Sequence, residues 1–355
     1  MTGDRIRLTG RLGASTSRRR FQVQSSREES TGQGSFLEET RFRSPTLHWS
    51  PVDELIAPPR LRPGATIGVA AVSGPVEEGK LGRGVASLRE KGYAVVEASN
   101  LRARCGFLAG EDGERAAGYR QLLFDPAVEA IFFARGGYGS SRILRYLDPS
   151  ELRANTKIHL GGSDLTALFA FLWRHAGLVT FYGPMVAVEM AAGTPDLDWQ
   201  SVLRGDPPVP HRIGRDDVVR AGRAEGVLAG GCLSLLASLA GTPEAILGDG
   251  VILFWEDTGE DTYRLDRFLT QLERSGTFDG LRGMVIGSVV PRRDVESSES
   301  VRKYLFERFA RAPFPVAMGL AAGHLPQPRT LALGVPVRLD LEESPQLSFT
   351  GSVVR

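Results

Sequence analysis

A serine at a sharp turn is the first residue of this chain whose setting could support chemistry. Ser163 lies in the stretch HLGGSDLTAL, between an apolar run and a segment with the spacing of a helix. A serine on a strand-to-helix turn can act as a nucleophile, and a helix amino terminus favours developing negative charge. The same position suits a serine that merely caps the helix over 164–176. Judged on this turn alone, capping is the commoner role, and both interpretations stay open.

A serine nucleophile needs a histidine base and an acid that orients the histidine. Among the five histidines, His324 follows a predicted strand and lies in the glycine- and proline-rich loop GHLPQP. Glu256 and Asp257 end the apolar run VILFWED, and the pattern does not decide which carboxylate turns into a cleft. The order along the chain would be serine, acid, histidine. A lone loop histidine is more often a surface residue than a catalytic one.

Glycine-rich stretches follow three predicted strands, where chemistry collects in open parallel sheets. The stretches are AVSGP, ARGGYGS (134–140) and GGSD. The second lacks the GxGxxG spacing and does not follow the first strand, so it is weak evidence for a dinucleotide site. It suits a cradle for an oxyanion or a carboxylate, with a plain turn as the alternative. The chain contains no HExxH motif, and we expect neither a metal nor a cofactor.

Strands and helices alternate along the chain from about residue 61. Runs such as TIGVAAV (66–72) and VEAIFFA (128–134) are followed by helical stretches, which predicts βαβ units and a mostly parallel sheet. Residues 193–214 are rich in Pro, Gly and Asp and are predicted to form a linker. We therefore predict an α/β protein, with a parallel-sheet domain over 58–192 and a smaller α/β domain with a β-rich end over 215–355.

Composition excludes several classes of protein. The net charge is +1 over 355 residues, which gives no reason to expect nucleic acid or a membrane as a partner. Cys105 and Cys232 lie far apart, which excludes a disulfide framework and fits a reducing compartment. No apolar run reaches the ~18 residues that span a bilayer. The first 50 residues hold 14 Ser or Thr and nine Arg, and residues 1–57 are predicted to be a disordered tail.

From about Leu61 to the carboxyl terminus, the chain resembles the LD-carboxypeptidases, a family of serine peptidases. The motifs follow the family's order and are specific in combination: FLAGEDGERA, ARGGYGSSRIL, GGSDLTAL, FYGPM, GGCLSLLASLAGTPE, LFWEDTGEDTYRLDRFLTQL and GHLPQPRTLALG. Two positions depart from the family pattern. Cys232 stands where an asparagine is expected, and TLALG replaces the commoner TLPLG. These departures bear on the substrate pocket rather than on the class of enzyme.

The resemblance implies a catalytic triad of Ser163, Glu256 and His324, completed across the interface of a Rossmann-like N-terminal domain and a smaller C-terminal domain. It also implies a homodimer. In the mechanism that it implies, His324 takes the proton of Ser163, and Glu256 orients the imidazole. The backbone N–H groups near Gly137 and Asp164 are candidates for the oxyanion hole, and Gly137, Tyr138 and Asp164 are the candidates for oxyanion or substrate binding.

The function that the resemblance implies is a cytoplasmic step of peptidoglycan recycling. The substrate would be a murein tetrapeptide, cut at the L,D bond to release the terminal D-alanine. The stretch SRRRF lacks the apolar segment that an export signal needs. One alternative is a microcin-C-type immunity peptidase that cleaves an aminoacyl-nucleotide amide. Another is a non-catalytic α/β protein whose glycine-rich loops hold an anionic ligand.

Overall fold

The computed structural model describes residues 55–194, 197–292, 295 and 297–355. The predicted tail over 1–57 lies outside the described residues except for its last three. Within those three, Ile56 donates a backbone hydrogen bond to Gly177 O (2.8 Å) and accepts one from Val179 N (3.1 Å). At least Ile56 of the predicted tail is therefore paired with the first sheet's neighbouring chain segment.

The described residues contain fourteen strands and nine α-helices. The strands are β1 Thr66–Ala70, β2 Ala94–Glu97, β3 Val128–Phe133, β4 Ile158–Gly161, β5 Thr180–Tyr182, β6 His211–Arg212, β7 Val218–Arg220, β8 Arg223–Cys232, β9 Val251–Thr258, β10 Gly283–Val290, β11 Val316–Ala317, β12 Leu331–Leu333, β13 Val335–Asp340 and β14 Gln346–Phe349. The helices are α1 Glu78–Glu90, α2 Asp112–Phe124, α3 Ser140–Ile143, α4 Pro149–Ala154, α5 Leu165–Ala176, α6 Trp199–Arg204, α7 Leu233–Leu239, α8 Thr262–Arg274 and α9 Ser298–Phe309. Each of these helices is too short or too polar to cross a bilayer.

The first sheet has six strands in the order β12-β5-β4-β3-β1-β2. Strands β1 to β5 are parallel, and β12 pairs with β5 in the antiparallel direction. This confirms the predicted parallel α/β sheet. The strand order reverses between β1 and β3, and the carboxyl ends of strands at such a point form a crevice that binds ligands. The turns after β1, β3 and β4 are the three glycine-rich stretches, so this topology brings them to one edge.

The second sheet has eight strands in the order β6-β14-β13-β8-β9-β10-β11-β7. Strands β8 to β11 are parallel, and antiparallel strands flank them on both sides. The predicted α/β architecture with a β-rich end is therefore confirmed. With eight strands, however, this sheet is larger than the six-stranded first sheet.

One glycine takes the chain from the first sheet to the second. Strand β12 belongs to the first sheet and β13 to the second, and only Gly334 separates them. Gly334 has φ +85°, a conformation that side-chain-bearing residues rarely adopt. Its N–H donates to Leu228 O of β8 at 2.8 Å. The C-terminal part of the chain thus supplies an edge strand to the N-terminal sheet, which the sequence pattern did not indicate.

The segment 193–214, expected to be a linker, contains helix α6 and strand β6. Trp199 of α6 is fully buried, and its ring meets Phe132 of β3 edge-on with centroids 5.2 Å apart. A second ring, that of Tyr93, lies 5.6 Å away. Helix α6 is therefore part of the core of the first sheet, because one large apolar side chain anchors it among turn-forming residues.

We expect Trp199→Ala to lower the free energy of unfolding by about 3–5 kcal/mol, since it opens a cavity against β3. Val209→Ala is the matched control, because Val209 lies in the same segment but is 67% exposed. It should change the free energy by less than about 0.5 kcal/mol. Denaturant unfolding followed by circular dichroism measures both values. If Trp199→Ala lowered the free energy of unfolding as little as Val209→Ala does, helix α6 would be only loosely packed on the first sheet.

Candidate active site

Ser163 lies on a strained turn between β4 and α5. Its φ is +59°, and it is the one non-glycine residue with positive φ among the described residues. Such a conformation costs of order 1–3 kcal/mol and persists where surrounding contacts enforce it. Here the Ser163 N–H donates to the Tyr182 hydroxyl (2.8 Å), and the Ser163 carbonyl accepts from Thr166 N (3.0 Å) and Thr166 Oγ1 (2.7 Å). This is the backbone arrangement of a nucleophile elbow.

The structure does not show Ser163 as a helix cap. The residue at the N-cap position of α5 is Asp164, and no side chain caps the helix there. The Ser163 side chain instead borders a cleft that His324 also lines. A hydrogen bond between these two side chains is not among those of the described residues. Catalytic hydrogen bonds are often long without substrate and tighten when substrate binds.

The glycine-rich turn after β3 packs directly on Ser163. A Cβ atom placed on Gly136 would lie 2.7 Å from Ser163 Cβ and 2.9 Å from Ser163 Oγ. The next residue, Gly137, has φ +114° and borders the same cleft. The absence of a side chain at residue 136 is therefore what allows the serine to occupy its position.

Asp164 ties three loops together through its buried side chain. Its Oδ2 accepts hydrogen bonds from Ser73 Oγ (2.5 Å) and from Ser140 N (2.8 Å), and its carbonyl accepts one from Ser140 Oγ. Ser73 follows β1, and Ser140 begins α3 behind the glycine-rich turn. The carboxylate is thus a structural anchor. Among the described hydrogen bonds, the backbone N–H groups of Asp164 and Gly137 have no acceptor. Gly137 lines the cleft, and Asp164 N would lie 3.2 Å from a Cβ atom on Gly136, which also lines it.

Tyr138, the remaining candidate of the glycine-rich turn, is 49% exposed. Its ring packs against Phe107, with centroids 5.8 Å apart. It is not among the residues that line the cleft around Ser163. A role of Tyr138 in oxyanion or substrate binding therefore stays a prediction from the sequence.

Glu256 is fully buried at the end of β9 and holds His324. Its Oε2 accepts hydrogen bonds from His324 Nδ1 (2.7 Å) and from the His324 backbone N–H (3.0 Å). Its Oε1 accepts one from the Tyr182 hydroxyl at 2.6 Å. A buried carboxylate is tolerated when donors satisfy it in this way. Because Nδ1 donates to the acid, the Nε2 atom of His324 is left as the proton acceptor.

Asp257, the other candidate acid, has a different role. Adjacent residues of a strand point to opposite faces, and Asp257 accepts hydrogen bonds from Ser234 N and Thr258 N, both at 2.7 Å. It thereby satisfies a backbone donor in the first turn of α7. Burial raises the pKa of Asp257. The sequence left the choice of acid open, and the contacts assign Glu256 to His324.

The structure adds Tyr182, to which the sequence analysis gave no role. Its buried hydroxyl accepts the Ser163 N–H and donates to Glu256, so it joins the serine turn to the acid. Burial and the neighbouring Glu256 raise the pKa of Tyr182 well above its ordinary value, which keeps the phenol protonated. The sequence signal for Tyr182 was its position at the polar end of a buried strand, FYGP. The residues that its hydroxyl contacts lie too far away along the chain to be predicted from the sequence.

The cleft has a wide part and a narrow part. The wide part has a volume of about 430 Å³, and Lys80, Arg135, Ser163 and His324 are among its lining residues. The narrow part has a volume of about 10 Å³, and Glu189 is among its lining residues. A larger cavity of about 560 Å³ near His211 and Arg329 contains neither Ser163 nor His324, so we place the chemistry in the cleft.

Metal ligands and reactive thiols do not cluster in the described ranges. No group of three or more His, Cys, Asp and Glu side chains there could hold a metal ion.

Cys232 is buried, and burial raises the pKa of its thiol well above the ordinary value, with smaller contributions from Asp257 and Glu256. A protonated thiol is a poor nucleophile, so Cys232 acts as a small apolar side chain.

We expect Gly136→Ala to lower kcat/KM of a reaction at Ser163 about 100-fold, because the new methyl group displaces the Ser163 side chain from its position. Gly82→Ala is the matched control, since a Cβ atom there meets nothing within 4 Å. It lies within helix α1 and should leave the rate unchanged while slightly stabilising the helix. Wild-type kinetics in Gly136→Ala would show that the turn accommodates the methyl group without displacing Ser163.

Two family models match this chain. Residues 67–183 match the LD-carboxypeptidase N-terminal domain, and residues 225–339 match the LD-carboxypeptidase C-terminal domain. These ranges contain most of the first sheet and the core of the second. They leave 184–224, with helix α6, outside either match.

Named relatives cover most of the described chain. A Streptomyces coelicolor protein named as a carboxypeptidase is 40% identical over 304 residues, which are 81% of this chain and 94% of the relative. A Bacillus subtilis protein named as a murein peptide carboxypeptidase is 32% identical over 296 residues, with coverage of 81% and 92%. The Escherichia coli microcin C7 self-immunity protein MccF is 27% identical over 325 residues, with coverage of 81% and 94%.

A solved structure shares the arrangement of both sheets. The crystal structure of a muramoyltetrapeptide carboxypeptidase from Oxalobacter formigenes superposes with a TM-score of 0.70 at 29% identity, covering 79% of this chain and 98% of that one. Two family models in the expected order and relatives above 30% identity lead to one conclusion. The chain belongs to the LD-carboxypeptidase family of peptidases.

Proposed function

We propose that the protein is a serine carboxypeptidase that hydrolyses the L,D peptide bond of murein tetrapeptides and releases the terminal D-alanine. The observation that carries the proposal is the chain of contacts from Ser163 through Tyr182 and Glu256 to His324. A strained serine turn and a carboxylate-held histidine border one cleft. These are the parts that acyl transfer by a serine requires.

In the proposed acylation step, Ser163 Oγ attacks the carbonyl carbon of the scissile amide. His324 Nε2 takes the hydroxyl proton, and Glu256 stabilises the imidazolium that forms. His324 then gives this proton to the leaving amine, so that D-alanine departs and an ester to Ser163 remains. Water subsequently hydrolyses the ester, with His324 again as the base. The proposed oxyanion donors are the N–H groups of Gly137 and Asp164, which have no acceptor among the described hydrogen bonds.

The charges along the wide part of the cleft support a substrate with a free carboxylate. Arg135 lies two residues after the end of β3, and its guanidinium donates to Pro75 O at 3.2 Å. Within the described residues it forms no ion pair, whereas Lys80 pairs with Glu77 at 3.1 Å. An unpaired guanidinium beside the nucleophile suits the terminal carboxylate of a peptide. We assign this carboxylate of the substrate to the Arg135 side of the cleft.

The relatives support two substrate classes, and the proposal takes the murein peptide. One relative with 32% identity is named for murein peptides, and another with 27% identity is the microcin C7 self-immunity protein. A location in the cytoplasm, where murein fragments are recycled, and a homodimeric state belong to the same proposal. Incubation with murein tetrapeptide, followed by detection of D-alanine by mass spectrometry, tests it. Hydrolysis of an aminoacyl-nucleotide amide alone would favour the microcin-type alternative.

We expect Ser163→Ala to reduce tetrapeptide hydrolysis by several orders of magnitude and to change the melting temperature by a few degrees at most, because the side chain acts in the chemistry and caps nothing. His324→Ala should be about as inactive, because the two residues act as one unit. Ser238→Ala, an exposed serine on α7, is the control and should keep full activity. If Ser163→Ala retained more than about a tenth of the wild-type rate, the serine mechanism would be wrong.

The pH dependence of kcat/KM should report the ionisation of His324, which must be neutral to accept a proton. Burial by itself lowers the pKa of His324, but the hydrogen bond to Glu256 and the charge of Glu256 outweigh it, so the pKa is raised. Activity should therefore fall as the pH drops through a value above about 6.5. Glu256→Gln removes the charge and should move this limb to lower pH while reducing kcat. If the acidic limb of the pH profile did not move in Glu256→Gln, it would report the ionisation of a group other than His324.

A further inference from the structure

A second carboxylate, that of Glu189, borders the reactive cleft and has no part in the triad. It lies on the π-helical turn Val186–Met190, which follows β5. Its Oε2 accepts a hydrogen bond from Met185 N at 2.8 Å. The hydrogen bonds of the described residues join Glu189 to neither Ser163 nor His324. Since Glu256 already orients the histidine, the triad leaves this half-buried acid unexplained.

The turn that carries Glu189 is held firmly in place. Ala187 N donates to Ala134 O of the segment after β3 at 2.8 Å. On the other side, helix α1 approaches so closely that a Cβ atom on Gly84 would lie 1.9 Å from Val186 O. Two neighbouring elements therefore fix the backbone of the turn, and the Met185 N–H holds the carboxylate against it. A group that positions a reactant must be held in this way.

The two parts of the cleft differ in what they can contain. Ser163, Met185 and His324 line both parts, whereas Glu189 lines only the narrow one. The wide part, at about 430 Å³, is large enough for a peptide. The narrow part, at about 10 Å³, has room for roughly one water molecule. A peptide acyl group in the wide part would leave this one-water space beside the ester.

We propose that Glu189 positions the water molecule that hydrolyses the acyl-enzyme. This inference rests on the proposed serine mechanism. The Glu189 carboxylate accepts a hydrogen bond from one O–H of the water, and His324 Nε2 takes the proton of the other. The water oxygen bonds to the acyl carbon, the bond from that carbon to Ser163 Oγ breaks, and His324 returns its proton to Ser163 Oγ. The products are the free serine and the shortened peptide acid.

The charge of Glu189 has a separate effect, which the test must distinguish. Burial raises the pKa of Glu189, and attraction to His324 opposes this rise. A negative charge here stabilises the imidazolium, which forms in acylation as well as in deacylation. Loss of the charge alone therefore slows both steps alike. Loss of the acceptor for water slows deacylation only.

Partitioning of the acyl-enzyme between water and added hydroxylamine tests the inference, because the product ratio is fixed after acylation, whichever step limits the rate. The substrates are murein tetrapeptide and its analogue with D-lactate in place of D-alanine. We expect Glu189→Leu to raise the hydroxamate-to-acid ratio about 100-fold and Glu189→Gln about 10-fold, because the amide remains a weak acceptor. With the D-lactate ester, which acylates faster, intact-mass measurement should show the ester on Ser163 accumulating in Glu189→Leu.

The control is Glu90→Gln, which removes an exposed carboxylate at the end of α1 and should keep the wild-type ratio. Melting temperatures of all variants establish that they fold. An unchanged ratio in Glu189→Leu would overturn the inference, and so would a raised KM for the substrate with an unchanged ratio, which would indicate that Glu189 binds an ammonium group of the peptide. A wild-type protein that releases no D-alanine, or that forms no hydroxamate through Ser163, would instead contradict the proposed function.

Discussion

The buried carboxylate of Glu256 is the interaction on which the rest of the site depends. A charge removed from water carries a penalty of several kcal/mol unless hydrogen bonds replace its hydration. Three donors do so here, from the Tyr182 hydroxyl and from two N–H groups of His324. These donors come from the end of β5 and from the loop before β12, whereas the acid itself lies near the end of β9. The carboxylate therefore links the two sheets while it orients His324.

Close backbone approaches make this junction possible. Gly323 has φ +100°, and a Cβ atom on it would lie 2.5 Å from Glu256 Oε2. At the contact of β8 with α5, a Cβ atom on Gly231 would lie 2.4 Å from Thr166 Oγ1, and the same oxygen accepts from Cys232 N at 2.9 Å. The histidine loop thus packs tightly on β9, and helix α5 behind the serine turn packs tightly on β8. Glycines at these two positions leave room for both approaches.

Much of this arrangement could be predicted from the sequence, and the limits have physical causes. Alternating apolar runs and helical periods gave the parallel sheet, because these patterns are local. The choice between Glu256 and Asp257 was not local, since it depends on which face of β9 meets the first sheet. Tyr182 and the return of β12 to the first sheet depend on contacts between residues far apart in the chain. Helix α6 was not predicted, because it lies among turn-forming residues and only a single tryptophan anchors it.

The role of Tyr182 also bears on where negative charge can be stabilised. The Ser163 N–H already donates to the Tyr182 hydroxyl, so it cannot serve a developing oxyanion without breaking that bond. At a nucleophile elbow, the usual donor is the N–H of the residue after the nucleophile, together with an N–H from a neighbouring loop. In this chain the proposed donors at these places are the N–H groups of Asp164 and Gly137. The anchored side chain of Asp164 fixes the orientation of its own N–H, and the same carboxylate holds Ser140 behind the glycine-rich turn. One buried acid thus supports the proposed oxyanion donors, as the other supports the base.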